Sequence, residues 1–345
     1  MTLPPVSDGV IQPEAENPPA WARSGINLAS AGLGAEAIAA TDEFFAPASR
    51  MLADAPAIFY PDLYDDNGKW MDGWESRRRR GPGHDMCVVK LAAPGRIFGF
   101  DVDTAHFTGN YPPACRIEGA CVDGVPTDKD WAEILPVSPL GASAHHFFTC
   151  ESRETFTHVR LHIHPDGGVG RLRVYGRPAL ETGGEEVELA AALGGARIIG
   201  YSDAHYGHPW RLLAPGRGEN MGDGWETRRR REPGSDWIVI QLAARGRIER
   251  ALIDTAHFKG NFPDSASIQA ADMSAMGRDM GPEMDRAVTV ASMFWEELLP
   301  PQKLMADHEH DVTGGLKDIG PVTHVRLNIH PDGGISRLKL WGKVE

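Results

Sequence analysis

The sequence has 345 residues, of which 41% are hydrophobic, and this length and composition suit two domains that each bury a core. Its formal net charge of −13 argues against a nucleic-acid partner, because phosphate backbones are bound by basic surfaces. No run of about 18 apolar residues occurs, and the N-terminus lacks the apolar core of a signal peptide, so we expect a cytoplasmic protein with no membrane partner.

The first residues and the cysteines bear on the same question. Residues 1–23 are rich in proline, and we predict that they form a flexible N-terminal tail. The four cysteines all lie in the first half of the chain, at Cys87, Cys115, Cys121 and Cys150. The second half has other residues at the positions that match the first three cysteines, so the duplicated fold does not require them. We therefore expect reduced thiols, which suit a cytoplasm.

Three blocks of sequence from the first half return in the second half. The pairs are DGWESRRRRGPGHD at 72–85 and DGWETRRRREPGSD at 223–236, DTAHFTGNYP at 103–112 and DTAHFKGNFP at 254–263, and THVRLHIHPDGGVGRLRVYG at 157–176 and THVRLNIHPDGGISRLKLWG at 323–342. In the first pair, 11 of 14 positions are identical. The chain is therefore an internal duplication, and a residue kept in both copies is required by the fold or by a site present twice.

The duplication sets the predicted domain boundaries. We expect one repeat at 24–176 and another at 187–345, joined by a Gly- and Glu-rich linker at 177–186. Repeat one carries about ten extra residues before its DGWE segment, and repeat two carries an insertion near Met273–Ala291. We expect both insertions to be loops, because loops tolerate changes in length.

Strand-like alternation dominates both repeats. Val159, Leu161 and Ile163 alternate with polar residues, the period of two expected of a half-buried strand. Each such strand is followed by PDGG and a second alternating run, which predicts an antiparallel hairpin. The other predicted strands are Met86–Leu91, Arg96–Asp103, Trp237–Leu242 and Arg247–Asp254. The pattern predicts an all-β fold of two tandem antiparallel sandwiches.

The DGWE segments combine a carboxylate with many guanidinium groups. Glu75 and Glu226 are each followed by four arginines, and arginine is suited to bind a carboxylate with two hydrogen bonds. The candidate binding residues here are Arg77, Arg79, Arg228 and Arg230. The alternative is a salt-bridged strand edge. We expect Trp74 and Trp225 to be core anchors rather than stacking platforms for a ligand.

The DTAHF-x-GN segments follow predicted strands. His106 and Asn110, and in the second copy His257 and Asn261, would therefore emerge on loops at strand ends, where sites are usually built. A histidine beside an aspartate can act as a general base. The alternative is that Asp103 only caps the turn and that the histidine only packs beside a phenylalanine.

A metal site receives little support. His158, Arg160, His162 and His164 would line one face of a sheet, but His162 becomes Asn328 in repeat two, so no histidine pair at a spacing of two residues is duplicated. We predict no metal ligands. The sequence also lacks GxGxxG, Walker A, GxSxG and HExxH motifs, so nucleotide, serine-hydrolase and zincin chemistry have no support.

Taken together in tandem, (T/S)-D-x-(F/H)-(F/Y), DGWE-(S/T)-RR-x-R, DTAHF-x-GN and HVRL-x-IHPDGG resemble the allantoicase family over nearly the whole chain, from about Leu28 to Gly342. The resemblance implies two jelly-roll β-sandwich repeats of the galactose-binding-like type. It implies hydrolysis of allantoate, a small ureide, to ureidoglycolate and urea in purine degradation. We expect a homo-oligomer that requires no cofactor, with manganese as the alternative.

The implied reaction needs an anion clamp, polar partners for the ureido groups, and acid and base groups. We assign proton transfer to Glu75/Glu226 or His106/His257 and ureido binding to Asn110 and Asn261. The substrate carboxylate would be bound either by the arginines of the two RRRR segments or by Arg160 and Arg326. The sequence leaves open whether each repeat holds a complete site.

Two further expectations follow. The alternative to an enzyme is a non-catalytic tandem β-sandwich that binds a carbohydrate or another small polar ligand, since fold does not imply function. The Arg-, His- and acid-rich duplicated segments favour the enzyme. If one pocket does the work, we expect it to lie in repeat two, because Asp203, His205, Tyr206 and His208 offer more proton-transfer groups than the Phe-rich counterpart in repeat one.

Overall fold

The computed structural model describes residues 8–180, 186–277 and 281–345. The chain forms two units, and it passes from the first to the second between Ala179 and Leu180. The predicted linker is partly occupied by strands, since residues 177 and 178 end a strand of the first unit and residue 187 begins one in the second. Residues 181–185 of the linker lie outside the described part of the chain.

The first unit is built from short strands around one long strand. Its strands are β1 Val10–Ile11, β2 Ile26–Asn27, β3 Glu36–Ala40, β4 Ile58–Phe59, β5 Tyr64–Asp65, β6 Gly68–Lys69, β7 Trp74–Glu75, β8 Asp85–Asp103, β9 Ala114–Ala120, β10 Ala132–Pro139, β11 Phe147–Thr149, β12 Thr155–His164, β13 Gly168–Val169 and β14 Arg171–Pro178. Its helices are α1 Ala20–Ser24 and the 3₁₀ helices Ala31–Leu33 and Ala48–Leu52.

Strand β8 connects the two layers of this unit. Its first half pairs with β12 and β3, and its second half pairs with β14 and β11, all antiparallel. Val89 from the first half and Phe100 from the second lie in the same buried cluster as Leu161 of β12 and Leu172 of β14. The inner faces of both layers therefore share one core, as expected of a jelly-roll sandwich.

The second unit repeats this plan. Its strands are β15 Val187–Glu188, β16 Arg197–Tyr201, β17 Trp225–Glu226, β18 Asp236–Asp254, β19 Ser265–Ala271, β20 Glu296–Lys303, β21 Glu309–Val312, β22 Val322–His330, β23 Gly334–Ile335 and β24 Arg337–Val344. Its helices are α2 Gly281–Ala291 and the 3₁₀ helices Ala192–Gly194, Pro209–Leu213, Met221–Asp223, Ser274–Met276 and Ser292–Phe294. Strand β18 pairs with β22 and β16 in its first half and with β24 and β21 in its second half. The prediction of two tandem jelly-roll sandwiches is thus confirmed.

The prediction that PDGG connects the two strands of an antiparallel hairpin is wrong. Strand β12 pairs with β8 and β9, whereas β14 pairs with β8 and β2, so the two runs bind different halves of β8 and not each other. Between them, β13 pairs with β7. A Cβ atom on Gly168 would lie 1.9 Å from the Phe107 ring, so only glycine fits this close approach. The PDGG segment is a crossing between layers, which turn residues alone could not reveal.

The insertion of repeat two is partly helical, which corrects the expectation of a loop. It contains α2, whose Val288 is buried. Both terminal nitrogens of Arg197 bind the carboxylate of Asp285 on the same helix, at 2.7 and 2.8 Å. Apolar burial and this bidentate pair hold the helix on the sheet. The insertion of repeat one instead contains the short β5–β6 pair.

The N-terminal segment also differs from the expected tail. Strand β1 pairs with β4, and the ring of Trp21 lies 6.0 Å from the rings of both Phe147 and Tyr175. These contacts place residues 8–24 against repeat one, since an indole gains by leaving water. Residues 1–7 of the predicted tail lie outside the described residues. Within the described part of the chain, no helix is long and apolar enough to cross a bilayer.

Candidate active site

Three of the predicted site residues converge in repeat one. Asn110 Nδ2 donates a hydrogen bond to Oε1 of Glu75 at 2.7 Å. His106 Nε2 lies 3.1 Å from the carbonyl oxygen of Ala57, and because a carbonyl only accepts, Nε2 carries the proton and Nδ1 is left as the basic nitrogen. A pocket of about 270 Å³ is lined by these three side chains and by Phe45, Phe59, Lys69, Met71 and Thr108.

Repeat two contains the same arrangement. Asn261 Nδ2 donates to Oε1 of Glu226 at 2.5 Å, and His257 Nε2 donates to the carbonyl oxygen of Gly218 at 2.7 Å. We call each set of glutamate, histidine and asparagine the trio of its repeat. Since both trios keep their hydrogen bonds, the molecule carries the same candidate site twice.

The DGWE segment places the glutamate of each trio. Trp74 is fully buried, and its indole nitrogen donates to the carbonyl oxygen of Asp42 at 2.8 Å. Trp225 is equally buried and bonds to the carbonyl oxygen of Asp203 at the same distance. The expectation that both tryptophans are core anchors is confirmed. Side chains alternate along a strand, so burial of the tryptophan turns the following glutamate toward the pocket.

The DTAHF segment places the histidine of each trio in an unusual backbone conformation. His106 and His257 have φ angles of 65° and 68°, in the left-handed region that residues with a side chain rarely adopt. The backbone N–H of His106 donates to Ser143 Oγ at 3.1 Å, and that of His257 donates to Asp307 Oδ1 at 2.8 Å. Such strain costs roughly 1–3 kcal/mol and clusters at functional sites.

The aspartates of the two DTAHF segments have a structural role. Asp103 Oδ1 accepts a hydrogen bond from the backbone N–H of Ala105 at 2.8 Å, and Asp254 Oδ1 accepts one from Ala256 at 2.9 Å. Both aspartates are buried. They cap the turns that present the histidines, which is the alternative that the sequence left open for the aspartate.

The electrostatics of repeat one suit an acid. Burial raises the pKa of Glu75 above its usual value, the hydrogen bond from Asn110 offsets part of this rise, and the charge of Asp65 adds to it. A carboxyl group with a raised pKa holds its proton more readily and can give it to a leaving group.

The arginines of the RRRR segments lie elsewhere. Arg77 pairs with Asp42 at 2.7 Å, and Arg79 pairs with the buried Asp85 at 2.6 Å. The corresponding pairs of repeat two are Arg228 with Asp203 at 3.3 Å and Arg230 with Asp236 at 2.8 Å. Neither Arg77 nor Arg79 lines the pocket of repeat one. These contacts match the alternative of a salt-bridged edge.

Arg160 and Arg326 are also held away from the trios. They project from the outer face of their strands, opposite the inward core residues such as Leu161. Arg160 binds Glu118 at 2.6 Å and stacks over Trp131 at 4.6 Å. Arg326 binds Asn328 at 2.8 Å and lies over an indole in the same way.

The surroundings of the two trios differ. In repeat one the backbone of Glu75 bridges to Ala46, whereas in repeat two Glu226 bridges to Tyr206. Tyr206 therefore takes the place of Ala46 in this pairing. Gly207, with a φ of 69°, accommodates the change in register.

Two residues that line the first pocket were not predicted from the sequence. Phe59 and Lys69 come from the insertion that repeat two lacks, so comparison of the copies could not single them out. The only available signal was the presence of the insertion directly before the DGWE segment. Among the described residues, no group of three or more His, Cys, Asp or Glu side chains is arranged to hold a metal ion.

Comparison with known proteins places this architecture in a family. The family model of the allantoicase repeat matches residues 26–179 and 187–345. A probable allantoicase of Rhizobium meliloti is 60% identical over 332 residues, which is 94% of this chain and 96% of the relative. A probable allantoicase of Photobacterium profundum is 53% identical over 324 residues, covering 92% of this chain and 96% of the relative.

A solved structure agrees with these relatives. The crystal structure of allantoicase from Saccharomyces cerevisiae is 35% identical, with a TM-score of 0.77, and the match covers 92% of this chain and 93% of that one. These similarities do not favour the alternative of a non-catalytic carbohydrate-binding sandwich. With two matching repeats, near-complete coverage and a shared fold, this chain belongs to the allantoicase family of hydrolases.

Proposed function

We propose that the protein hydrolyses allantoate to ureidoglycolate and urea in purine degradation, and that each repeat holds one site built on its trio. Family membership supports the reaction. The location of the two sites is supported by a hydrogen-bonded pair that occurs in both repeats, Glu75 with Asn110 and Glu226 with Asn261. Beside each pair lies a histidine whose ring nitrogen donates to a backbone carbonyl.

The chemistry assigns a task to each member of the trio. The reaction breaks the bond between the central carbon and one ureido nitrogen and forms a bond from that carbon to a water oxygen. Nδ1 of the histidine takes a proton from the water, and the glutamic acid gives a proton to the departing urea nitrogen. The histidine then returns its proton to the glutamate through solvent, which restores both groups.

The asparagine orients the substrate and its partner acid. One N–H of its Nδ2 donates to the glutamate, and its carboxamide oxygen can accept a hydrogen bond from a ureido N–H. We propose that the trio works without a metal ion, because it offers only one carboxylate and one imidazole. A bound Mn²⁺ would supply Lewis acidity, and the carboxylate of Glu75 is the hard oxygen donor that the pocket could offer it.

The test is urea release from allantoate by the purified protein and by the variant that carries both Glu75→Gln and Glu226→Gln. We expect wild-type turnover and a loss on the order of 10²-fold or more in the double variant, the usual scale for loss of a positioned acid. Circular dichroism checks that the variant is folded. No urea release by the wild type would refute the reaction, and unchanged release by the double variant would refute the site.

The cellular setting belongs to the same proposal. We propose a cytoplasmic homo-oligomer. Four unpaired cysteines support a reducing compartment, and the exposed apolar side chains of Val290, Met293 and Phe294 support self-association. Light scattering after size-exclusion chromatography tests the second point, since a monomeric mass would overturn it.

A further inference from the structure

The pocket of repeat one contains an ammonium group close to its trio. Among the described residues that line this pocket, Lys69 is the only basic one besides His106, and it comes from β6 in the insertion that repeat two lacks. Its side chain is half-buried. Within residues 8–180, 186–277 and 281–345, no carboxylate forms an ion pair with it, in contrast to Arg77 and Arg79.

Aromatic rings hold this lysine close to the trio. Lys69 Nζ lies 5.2 Å from the ring centre of Phe59 and 5.0 Å from that of Tyr64. Phe59 in turn stacks on His106, with ring centres 5.7 Å apart and planes 23° from parallel. Rings attract the ammonium group without consuming its three N–H donors. The amine is thus positioned and remains able to bind an anion.

Repeat two carries a lysine in its DTAHF segment. Thr108 lines the first pocket, and the corresponding residue of DTAHF-x-GN in repeat two is Lys259, which is exposed. Lys259 follows His257 of the trio by two residues. The hydrogen bond from the backbone of His257 lowers the pKa of Asp307, burial opposes this, and the charge of Lys259 lowers the pKa further. Repeat one therefore has a lysine in its pocket, and repeat two has a lysine on the loop that presents its histidine, at an unrelated position.

We propose that a lysine binds the substrate carboxylate, Lys69 in repeat one and Lys259 in repeat two. This inference rests on the proposed function. The arginines of the RRRR segments are paired with aspartates, so a lysine supplies the positive charge that binds the substrate carboxylate. The substrate carries a single carboxylate, and an ammonium group at the pocket fixes which end of the molecule faces the trio. A neutral analogue, in which the carboxylate is a primary amide, gains little from either lysine.

The experiment uses backgrounds in which one trio is disabled. Lys69→Met is made together with Glu226→Gln, and Lys259→Met together with Glu75→Gln, so that each lysine is tested at its own site. We expect kcat/KM for allantoate to fall on the order of 10- to 100-fold, mainly through KM, because each variant loses a hydrogen bond between charged groups. Activity on the amide analogue should change less than about twofold, and Lys→Arg should restore most of the loss.

The control is Lys129→Met, an exposed lysine of repeat one outside the pocket, which should leave both substrates unaffected. A KM for allantoate within twofold of the background in Lys69→Met would overturn the assignment of Lys69, and so would an inactive Glu226→Gln background. The same outcomes with Lys259 would overturn the assignment in repeat two. Failure of the wild type to release urea would instead remove the proposed reaction itself.

Discussion

Asn110 is the residue that holds Glu75 in place, through a 2.7 Å hydrogen bond from its amide nitrogen to the carboxyl oxygen Oε1. Burial raises the pKa of Glu75, and this bond counteracts part of the rise because it stabilises the charged form. The pair therefore sets both the position of the acid and the pH range in which it keeps its proton.

Asn110→Ala should shift the pH dependence of repeat one. Without the hydrogen bond the pKa of Glu75 rises further, so the protonated acid persists to higher pH. In the Glu226→Gln background, the alkaline fall in kcat that reports this acid should move to higher pH, and kcat should drop about tenfold or more because the acid is less well positioned. A pH profile of urea release measures both effects. A fall in kcat with an unmoved profile would contradict the role of Asn110.

His106→Asn should separate stability from activity. At a φ of 65° asparagine is tolerated better than histidine, so the free energy of unfolding should stay equal or rise slightly. Urea release by repeat one should nevertheless fall on the order of 10²-fold or more, because the base is gone. Urea denaturation and the release assay in the Glu226→Gln background test the two parts. A destabilised variant would show that the histidine side chain is needed mainly for folding.

A buried arginine outside the trio should matter for stability. Arg171 is 1% exposed and binds the carboxylate of Asp72 at 2.7 Å. Arg171→Met leaves that carboxylate partly buried and unpaired, so the free energy of unfolding should fall by about 3–5 kcal/mol. The matched control is Arg77→Met, whose exposed pair with Asp42 should contribute less than about 1 kcal/mol. Equal effects in chemical denaturation would contradict this ranking.

The sequence was informative where the physical signal is local or duplicated. Period-two alternation identified both halves of β8 and β18, and the kept Glu, His and Asn pointed to the trios. Duplication could not separate fold from site, however. Arg79 pairs with Asp85 and Arg230 pairs with Asp236, so the presence of these arginines in both copies fits a role in the fold as well as the predicted role in substrate binding.

Other features depend on long-range partners. PDGG carries turn residues, but only the tertiary structure decides that β13 pairs with β7 and that β14 returns to the other half of β8. The left-handed backbone of His106 is likewise invisible in the letters DTAHF. Lys69 has no counterpart at its position in repeat two, so nothing in the second copy could draw attention to it.

Chelation provides a direct test of the metal-free proposal. The described residues contain no group of three metal-binding side chains, and the trio combines one carboxylate with one imidazole and one carboxamide. We therefore expect protein treated with EDTA and then dialysed to keep most of its urea release. Complete loss that Mn²⁺ alone restores would show that a metal takes part, and metal analysis of the untreated protein would then give its stoichiometry.

The two trios make the contribution of each repeat measurable. If both sites work independently, Glu75→Gln and Glu226→Gln should each leave roughly half of the turnover, because each variant loses only its own site, while the double variant loses on the order of 10²-fold or more. The alternative is one working site in repeat two, where Tyr206 adjoins the glutamate. Glu226→Gln alone would then have the full effect, and Glu75→Gln would change little. Equal, modest losses from the single variants, with circular dichroism spectra like that of the wild type, would rule out the single-site alternative.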